Sequence, residues 1–386
     1  MHILIIPSWY ALPTEPIRGS FFHDQARALR RAGHEVNMLV PPSKFRSFHG
    51  LAEVRREWRR RNIDVTVHND NGMKIYRIPW WGWLPTLLPW QRGQLALAAF
   101  DRYCREVGKP DVLHGHSILY GGYLAAYIGH FHTIPVVLTE HSSVFLRQYF
   151  LPGQQEFVQF ALQHADAIIA VSTALQQALR GYGTQKEIKV IGNIVDVEFF
   201  TLPKDASSSN PFVFSIIGAL REIKRHDIVL RAFAHAFREK PIRLNIAGDG
   251  RLRRRLQAQV IRLGIQDQVD FLGQLSRASV RELIARSNVV LSASDQETFG
   301  ITLIEAMACG KPVIATRSGG PEDIVNKLNG LLVPTGDAGA LAAAMSQMVS
   351  DYNHYDAALI RAECVKKFSE MAIVKQLDAV YREVTI

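Results

Sequence analysis

A chain of 386 residues, 47% hydrophobic and 21% charged, is too long for one ordinary domain and too apolar to be disordered. Its net charge of +9 is uneven: residues 1–195 carry 21 Lys and Arg against 14 Asp and Glu, and residues 196–386 carry 24 against 22. Cys104, Cys309 and Cys364 lie far apart and form no CxxC pair, which argues against a disulfide framework or a zinc cluster and fits a reducing cytoplasm.

The first residues, MHILIIPSWY, lack a basic leader and a small-residue cleavage site and are too short to span a bilayer, so they read as a strand over 2–7. SFFHDQARALRRAG (20–33) has helical spacing and stops at Gly33. HEVNMLVPP (34–42), DVLHGH (111–116), PVVLTEH (135–141), ADAIIAVS (165–172) and KEIKVIGN (186–193) read as strands, with ILYGGYLAAYIGHFH helical after the second of these. Between them stand the basic EVRREWRRRN (53–62) and the Trp-rich IPWWGWLPTLLPW (78–90), with Trp80, Trp81, Trp83 and Trp90. A solvated helix face accounts for the first and a buried loop for the second; together they also suit an anionic headgroup region.

LPKDASSSNP (202–211) reads as a linker, after which the rhythm restarts. FVFSIIGAL, RLNIAGDG, QVDFLGQ, NVVLSAS, KPVIATR and GLLVPT are six further strand candidates. Two α/β halves with parallel, doubly wound sheets follow, with ligands expected beyond the carboxyl ends of the strands and in the cleft between domains.

The second half carries the chemistry. NVVLSAS runs through the loop Asp295–Thr298 into GITLIEAMACG, a strand–loop–helix corner. The free N–H groups of the helix start suit an anion, Gly300 admits a phosphate to the backbone, and Thr302 adds a hydroxyl. Glu305, about two turns inside, suits the vicinal diol of a ribose; Glu297, before the helix, suits a group being transferred. Isolated glutamates on an amphipathic helix are commonly surface residues, but SIIGALREIKRHD and NIAGDGRLRRRL repeat the corner, with Arg221, Lys224 and Arg225 in the first. Three glycine turns at strand ends point to a nucleotide diphosphate, with Lys224 as its point charge.

ETFGITLIEAMACGKPVIATRSGGPEDIV, GALREIKRHD, IAGDGRL, VDFLGQL and NGLLVP, and in the first half PIRGSFFHDQARALRRAGHEV, DVLHGH, VVLTEH, AIIAVS and VIGNIVDVEFF, resemble the retaining glycosyltransferases of the GT-B fold, in particular family GT4. The resemblance covers nearly the whole chain. It implies an N-terminal acceptor domain (1–200), a C-terminal donor domain (201–365) and a terminal helix (366–386) packing back on the first. Glu305 would hold the ribose, Phe299, Gly300, Ile301 and Thr302 the phosphates and donor sugar, Glu297 the transferred sugar and Lys224 the diphosphate. Gly19 would admit phosphates or acceptor to the first domain, Leu275 would lie by the base, and His116 would lie near the transferred sugar. Members often carry Arg directly after the glycine of GAL; here Ala219 stands there, and Arg221 is the substitute.

The expected reaction is sugar transfer from a nucleotide-diphosphate donor to an acceptor hydroxyl, with retention by front-face attack and no metal or cofactor. The expected acceptor is a saccharide or lipid-linked saccharide in cell-envelope assembly, at the inner face of the membrane. A related epimerase or phosphorylase is the alternative, although no pyridoxal-lysine signature is present. Nucleic acid ranks last because no binding motif accompanies the charge. His114 and His116 lack a third ligand for a metal, and Cys309 reads as a buried corner.

Overall fold

The structure, a computed structural model, describes residues 1–10, 19–42, 65–78, 89–151, 153–203 and 211–385. The basic stretch 53–62, Trp80, Trp81 and Trp83, the side chain of Trp90 and linker residues 204–210 lie outside the described residues.

The chain divides into two units. The first comprises residues 1–171, 175–192 and 373–386, and the second 172–174 and 193–372. The division falls at 192/193 rather than 200/201 because the intervening segment is tied into the second unit. Val195 donates to Phe368 O at 2.9 Å, and the Arg361 guanidinium donates to Val197 O at 2.8 Å and Phe200 O at 2.7 Å.

The described residues of the first unit form eight strands: β1 His2–Pro7, β2 Glu35–Val40, β3 Thr66–Asp70, β4 Met73–Arg77, β5 Val112–His116, β6 Val136–Glu140, β7 Ala167–Ala170 and β8 Ile188–Val190. Their order is β3-β4-β2-β1-β5-β6-β7-β8. All pairings are parallel except β3 with β4. The inner strands are buried on both faces, β1 almost wholly apolar and β5 and β6 with polar residues toward their carboxyl ends. The edge hairpin was not among the expected strands, yet its turn is Asn71–Gly72 with φ of 50° and 85°, the two positive angles of a type I′ turn.

The helix Ser20–Arg31 buries Phe22, Gln25, Ala26, Ala28 and Leu29 along one face. It ends where Gly33 turns at φ 94° and His34 donates to Leu29 O at 3.2 Å. The stretch 118–132 is not one helix. Only Tyr123–His132 is regular, and Leu119 and Tyr120 have non-helical dihedrals. Gly121 donates to Ser8 Oγ and Ile118 to the Glu140 carboxylate, so tertiary acceptors replace the helical ones.

The second unit is a six-stranded parallel sheet: β9 Phe212–Ile217, β10 Ile242–Ala247, β11 Val269–Gly273, β12 Val289–Ser292, β13 Val313–Thr316 and β14 Gly330–Val333. Its order, β11-β10-β9-β12-β13-β14, is that of a dinucleotide-binding sheet. Phe214, Ile216, Leu244, Ile246, Leu291 and Phe233 lie in its core.

The helix Glu370–Thr385 begins in the second unit and runs into the first. There Tyr381 OH lies 2.7 Å from His114 Nδ1, and Asp378 lies 2.9 Å from His34.

Candidate active site

In both sheets the connections leave in opposite directions from two adjacent strands. That divergence opens a crevice beyond their carboxyl ends. In the second unit the strands are β9 and β12, and in the first β1 and β5. Lys224, Glu297 and the helix start at Gly300 follow β9 and β12, and Gly19 and His116 follow or end β1 and β5, whereas Leu275 follows the edge strand β11.

Lys224 follows β9 in a short 3₁₀ turn, and Glu297 follows β12. Their loops are joined by Asp295 N–H to Ile223 O at 2.9 Å. Lys224 Nζ lies 2.5 Å from Glu297 Oε2, with the lysine 33% and the glutamate 17% exposed, so this pair is reachable from solvent. The neighbouring Arg225 is committed elsewhere. Its Nη1 donates to both oxygens of Asp295 at 2.9 and 3.0 Å, and its Nε to Asp227 at 3.1 Å. Asp227 first, then Asp295, hold the guanidinium above its ordinary pKa. Of these two basic residues, Lys224 is the one placed to meet an incoming anion.

The glycine corners are close-packed. Gly218 donates to Ala247 O at 2.9 Å and Gly248 to Gly273 O at 2.7 Å. A Cβ on Gly248, whose φ is 139°, would lie 1.9 Å from Gly218 O. Only glycine there lets the ends of β9, β10 and β11 draw together. Leu275 is half-buried two residues beyond β11. Ala219 and Arg221 are both exposed at the start of the Lys224 turn.

Gly300, at φ 113°, starts the helix Ile301–Ala308. Its carbonyl accepts from Leu303 at 3.0 Å and Ile304 at 3.4 Å, so the Ile301 and Thr302 N–H groups belong to the open first turn. Glu305 is half-buried and about one turn inside, not two, because helical geometry begins only at Ile301. It shares a face with Thr302 and Ile301 by i,i+3 and i,i+4 spacing. The preceding loop is rigid. Glu297 donates to Ser318 O and accepts from Gly320 N–H at 2.9 and 2.7 Å, and the buried Phe299 ring packs edge-on against Phe368.

In the first unit Gly19, at φ 76°, starts the helix whose Phe22 ring lies 5.0 Å from that of His116. His114 and His116 do share a face of β5, their rings stacked at 4.1 Å. His114 is satisfied on both nitrogens, by Tyr381 OH at 2.7 Å and Thr139 Oγ1 at 2.8 Å. His116 Nδ1 lies 3.0 Å from His141 Nε2, and among the described residues His116 Nε2 has no partner. Both β5 histidines are fully buried, and burial lowers their pKa, to about 3 for His114 and well below the usual value for His116. His116 is therefore neutral at pH 7, a hydrogen-bonding group and not a cation. Beside it burial pushes the Glu140 carboxyl up to about 7, against the pull of backbone donors from Ile118, Ser142 and His141. Glu140 was not singled out from the sequence, although a carboxylate inside the apolar run PVVLTEH is a signal. Among the described residues no three His, Cys, Asp or Glu side chains group as metal ligands, and no helix is long and apolar enough to cross a membrane.

Two Rossmann-like units, each with a switch point in its sheet, are the architecture of the GT-B fold. The Glycosyltransferase Family 4 model matches residues 19–199 and the Glycosyl transferases group 1 model residues 199–363, and the chain belongs to this family. It is 31% identical over 373 residues to N-acetyl-alpha-D-glucosaminyl L-malate synthase of Bacillus anthracis, covering 93% of this chain and 91% of that one. It is 26% identical to a phosphatidylinositol N-acetylglucosaminyltransferase component of Arabidopsis thaliana, over 80% of this chain and 70% of the relative. Among solved structures, Anabaena HepE in complex with UDP and glucose superposes with a TM-score of 0.75 at 20% identity, over 99% of this chain and 100% of that one. Sucrose-phosphate synthase from Thermosynechococcus elongatus gives 0.76 at 20% identity, over 99% of each.

Proposed function

We propose that the protein transfers a sugar, with retention, from a nucleotide-diphosphate donor to the hydroxyl of a saccharide or lipid-linked saccharide. The observation that carries this reading is the Lys224–Glu297 pair at the β9/β12 switch point, beside the open helix start at Gly300. Lys224 and the Ile301 and Thr302 N–H groups take the diphosphate, Phe299 and Gly300 lend backbone to it, and Arg221 adds charge in place of the arginine absent at Ala219. Glu305 takes the ribose diol, Leu275 borders the base, and Glu297 holds hydroxyls of the transferred sugar. Gly19 admits the acceptor to the first unit, where the neutral His116 makes a hydrogen bond to a saccharide hydroxyl.

In the reaction the bond from the anomeric carbon to the diphosphate oxygen breaks as the acceptor oxygen bonds to the same face. The departing diphosphate oxygen takes the acceptor proton. Lys224 and the helix dipole stabilise the charge that develops on the leaving group, so no metal or cofactor is called for. Glu297 binds hydroxyls and forms no covalent intermediate.

The lipid-linked acceptor and an envelope role at the inner membrane face rest on the basic 53–62 and Trp-rich 78–90 composition. They rest also on a relative whose name includes phosphatidylinositol. Sedimentation with anionic liposomes at low salt tests that part.

The donor is tested by hydrolysis and thermal shift with UDP-glucose, UDP-galactose, UDP-N-acetylglucosamine, GDP-mannose and ADP-glucose. Turnover of one of them, undiminished by EDTA, is expected. NMR of the product from an α-linked donor is expected to show an α-glycoside; a β-glycoside overturns retention.

A further inference from the structure

The turn that follows His116 is held in an unfavourable conformation. Ser117 has φ 61° and Tyr120 φ 70°, two non-glycine residues in the left-handed region within four positions. Such a turn persists only where its surroundings over-determine it. Three supports do so. Ser117 N–H donates to Thr139 O at 2.7 Å. Ser8 Oγ accepts from Gly121 N–H at 2.8 Å. Ile118 N–H donates to Glu140 Oε2 at 2.6 Å, while Glu140 Oε1 accepts from His141 N–H at 2.8 Å and Ser142 N–H at 2.5 Å.

We propose that Glu140 is a positioning residue: its carboxylate pins the Ser117–Tyr120 turn and so fixes His116 for hydrogen bonding to a saccharide hydroxyl. This rests on the reading of His116 as a saccharide contact.

The chemistry of the three donors explains why a carboxylate stands there. Each oxygen of Glu140 faces at least one N–H, so neither end can be a donor. An amide in its place turns its NH₂ either toward Ile118 or toward His141 and Ser142, and the turn or the strand end loses its acceptor. The β6 ladder does not need the side chain, since its pairing is made by backbone. A fully buried carboxylate is costly unless hydrogen-bonded, so a leucine would serve packing alone better. The network also leaves the buried Nε2 of His116 without a partner among the described residues, which is the atom a ligand hydroxyl would meet.

The test compares Glu140→Gln, Glu140→Asp and His116→Ala in the full chain. Amide hydrogen exchange of the 117–122 peptide, UDP and GDP binding, and turnover across the five-donor panel are measured. Glu140→Gln is expected to speed exchange at 117–122 at least tenfold and to cut turnover at least tenfold, with nucleoside diphosphate affinity within twofold of wild type. Glu140→Asp, which keeps the charge, recovers part of both. Wild-type exchange or wild-type turnover in Glu140→Gln overturns the proposal, as does an aspartate variant no better than the glutamine one. If Glu140→Gln does not fold, Ser8→Ala removes another support of the same turn and is held to the same criteria. Full turnover in His116→Ala would instead sink the reading of His116, while the exchange data still decide whether Glu140 pins the turn.

Discussion

The two strand edges are built on one plan, but one is exposed and filled with ion pairs and the other is buried. The second unit places Lys224, Glu297, Arg225 and Asp295 at its switch point, all partly exposed and in ion pairs. The first unit places His114, His116 and Glu140 at its own, all fully buried. There burial lowers the pKa of both histidines and raises that of the carboxyl. The difference teaches that topology selects where a site forms, and burial selects what kind of partner it takes. A solvent-facing lysine beside a helix start suits a multiply charged phosphate. A dry histidine suits an uncharged hydroxyl.

The sharpest way to break this comparison is at Lys224. Lys224→Ala is expected to lower turnover by about 100-fold, the scale of removing one preorganised charge-stabilising donor, and Lys224→Arg by clearly less. Equal and mild effects in the two variants would make Lys224 an ordinary surface charge. Next, Glu305→Ala is expected to weaken nucleotide binding and cut activity by at least tenfold, about 1.4 kcal/mol. A correctly folded variant with wild-type activity removes Glu305 from the site.

Stability against pH probes the buried titratable groups, which include His226 at the start of the helix His226–Phe237 in the second unit. His114 and His226, with pKa values lowered to about 3 and about 4, and His116, also lowered, accept protons in the unfolded chain below about pH 6.5 but not in the folded one. Their contribution to stability is lost as pH falls through that range. Glu140, raised to about 7, works in the opposite sense between about pH 4.5 and 7, because the unfolded carboxyl ionises first. Three groups outweigh one. Urea unfolding is therefore expected to show stability rising from pH 5 to 6.5, by up to about 1.4 kcal/mol per pH unit for each net group. A flat or falling curve would mean these histidines are not dry in solution.

A smaller effect tests whether the ion pair restrains Lys224. Glu297→Gln removes the carboxylate facing that lysine. Binding of the nucleoside diphosphate product is expected to tighten severalfold while turnover falls; weaker binding would show that Glu297 does not compete for the lysine. The smallest effect is expected away from both edges. Arg243 and Asp270 form a 2.7 Å pair, 41% and 46% exposed, and Arg243→Ala should change stability by no more than about 0.5 kcal/mol in a denaturant melt.

Much of this was legible in the chain itself. β1 was read as residues 2–7, which is its span, because a strand buried on both faces is written as a continuous apolar run. The corners at Gly218, Gly248 and Gly300 were legible because close backbone approach leaves glycine as the workable residue. What was not legible depends on partners far along the chain. Residues 118–122 have the composition of a helix start, and hydrogen bonds to Thr139, Ser8 and Glu140 pull the turn out of it. Arg225 and Lys224 look alike in sequence, yet Asp295, 70 residues on, occupies one and leaves the other to Glu297. The Asn71–Gly72 hairpin carried a readable turn signal that was passed over.

The helix Glu370–Thr385 bears on how the protein is made. Its Tyr381 is fully buried in the first unit against His114, and Ile373, Val374, Leu377 and Val380 are buried with it. The ribosome delivers those residues only after the whole of 193–372 has emerged. The core of the first unit can therefore close completely only after all residues of the second have been made. The second unit is covalently complete while the first still lacks a wall of its core, so the first waits, open around His114, for the last stretch of the helix to arrive.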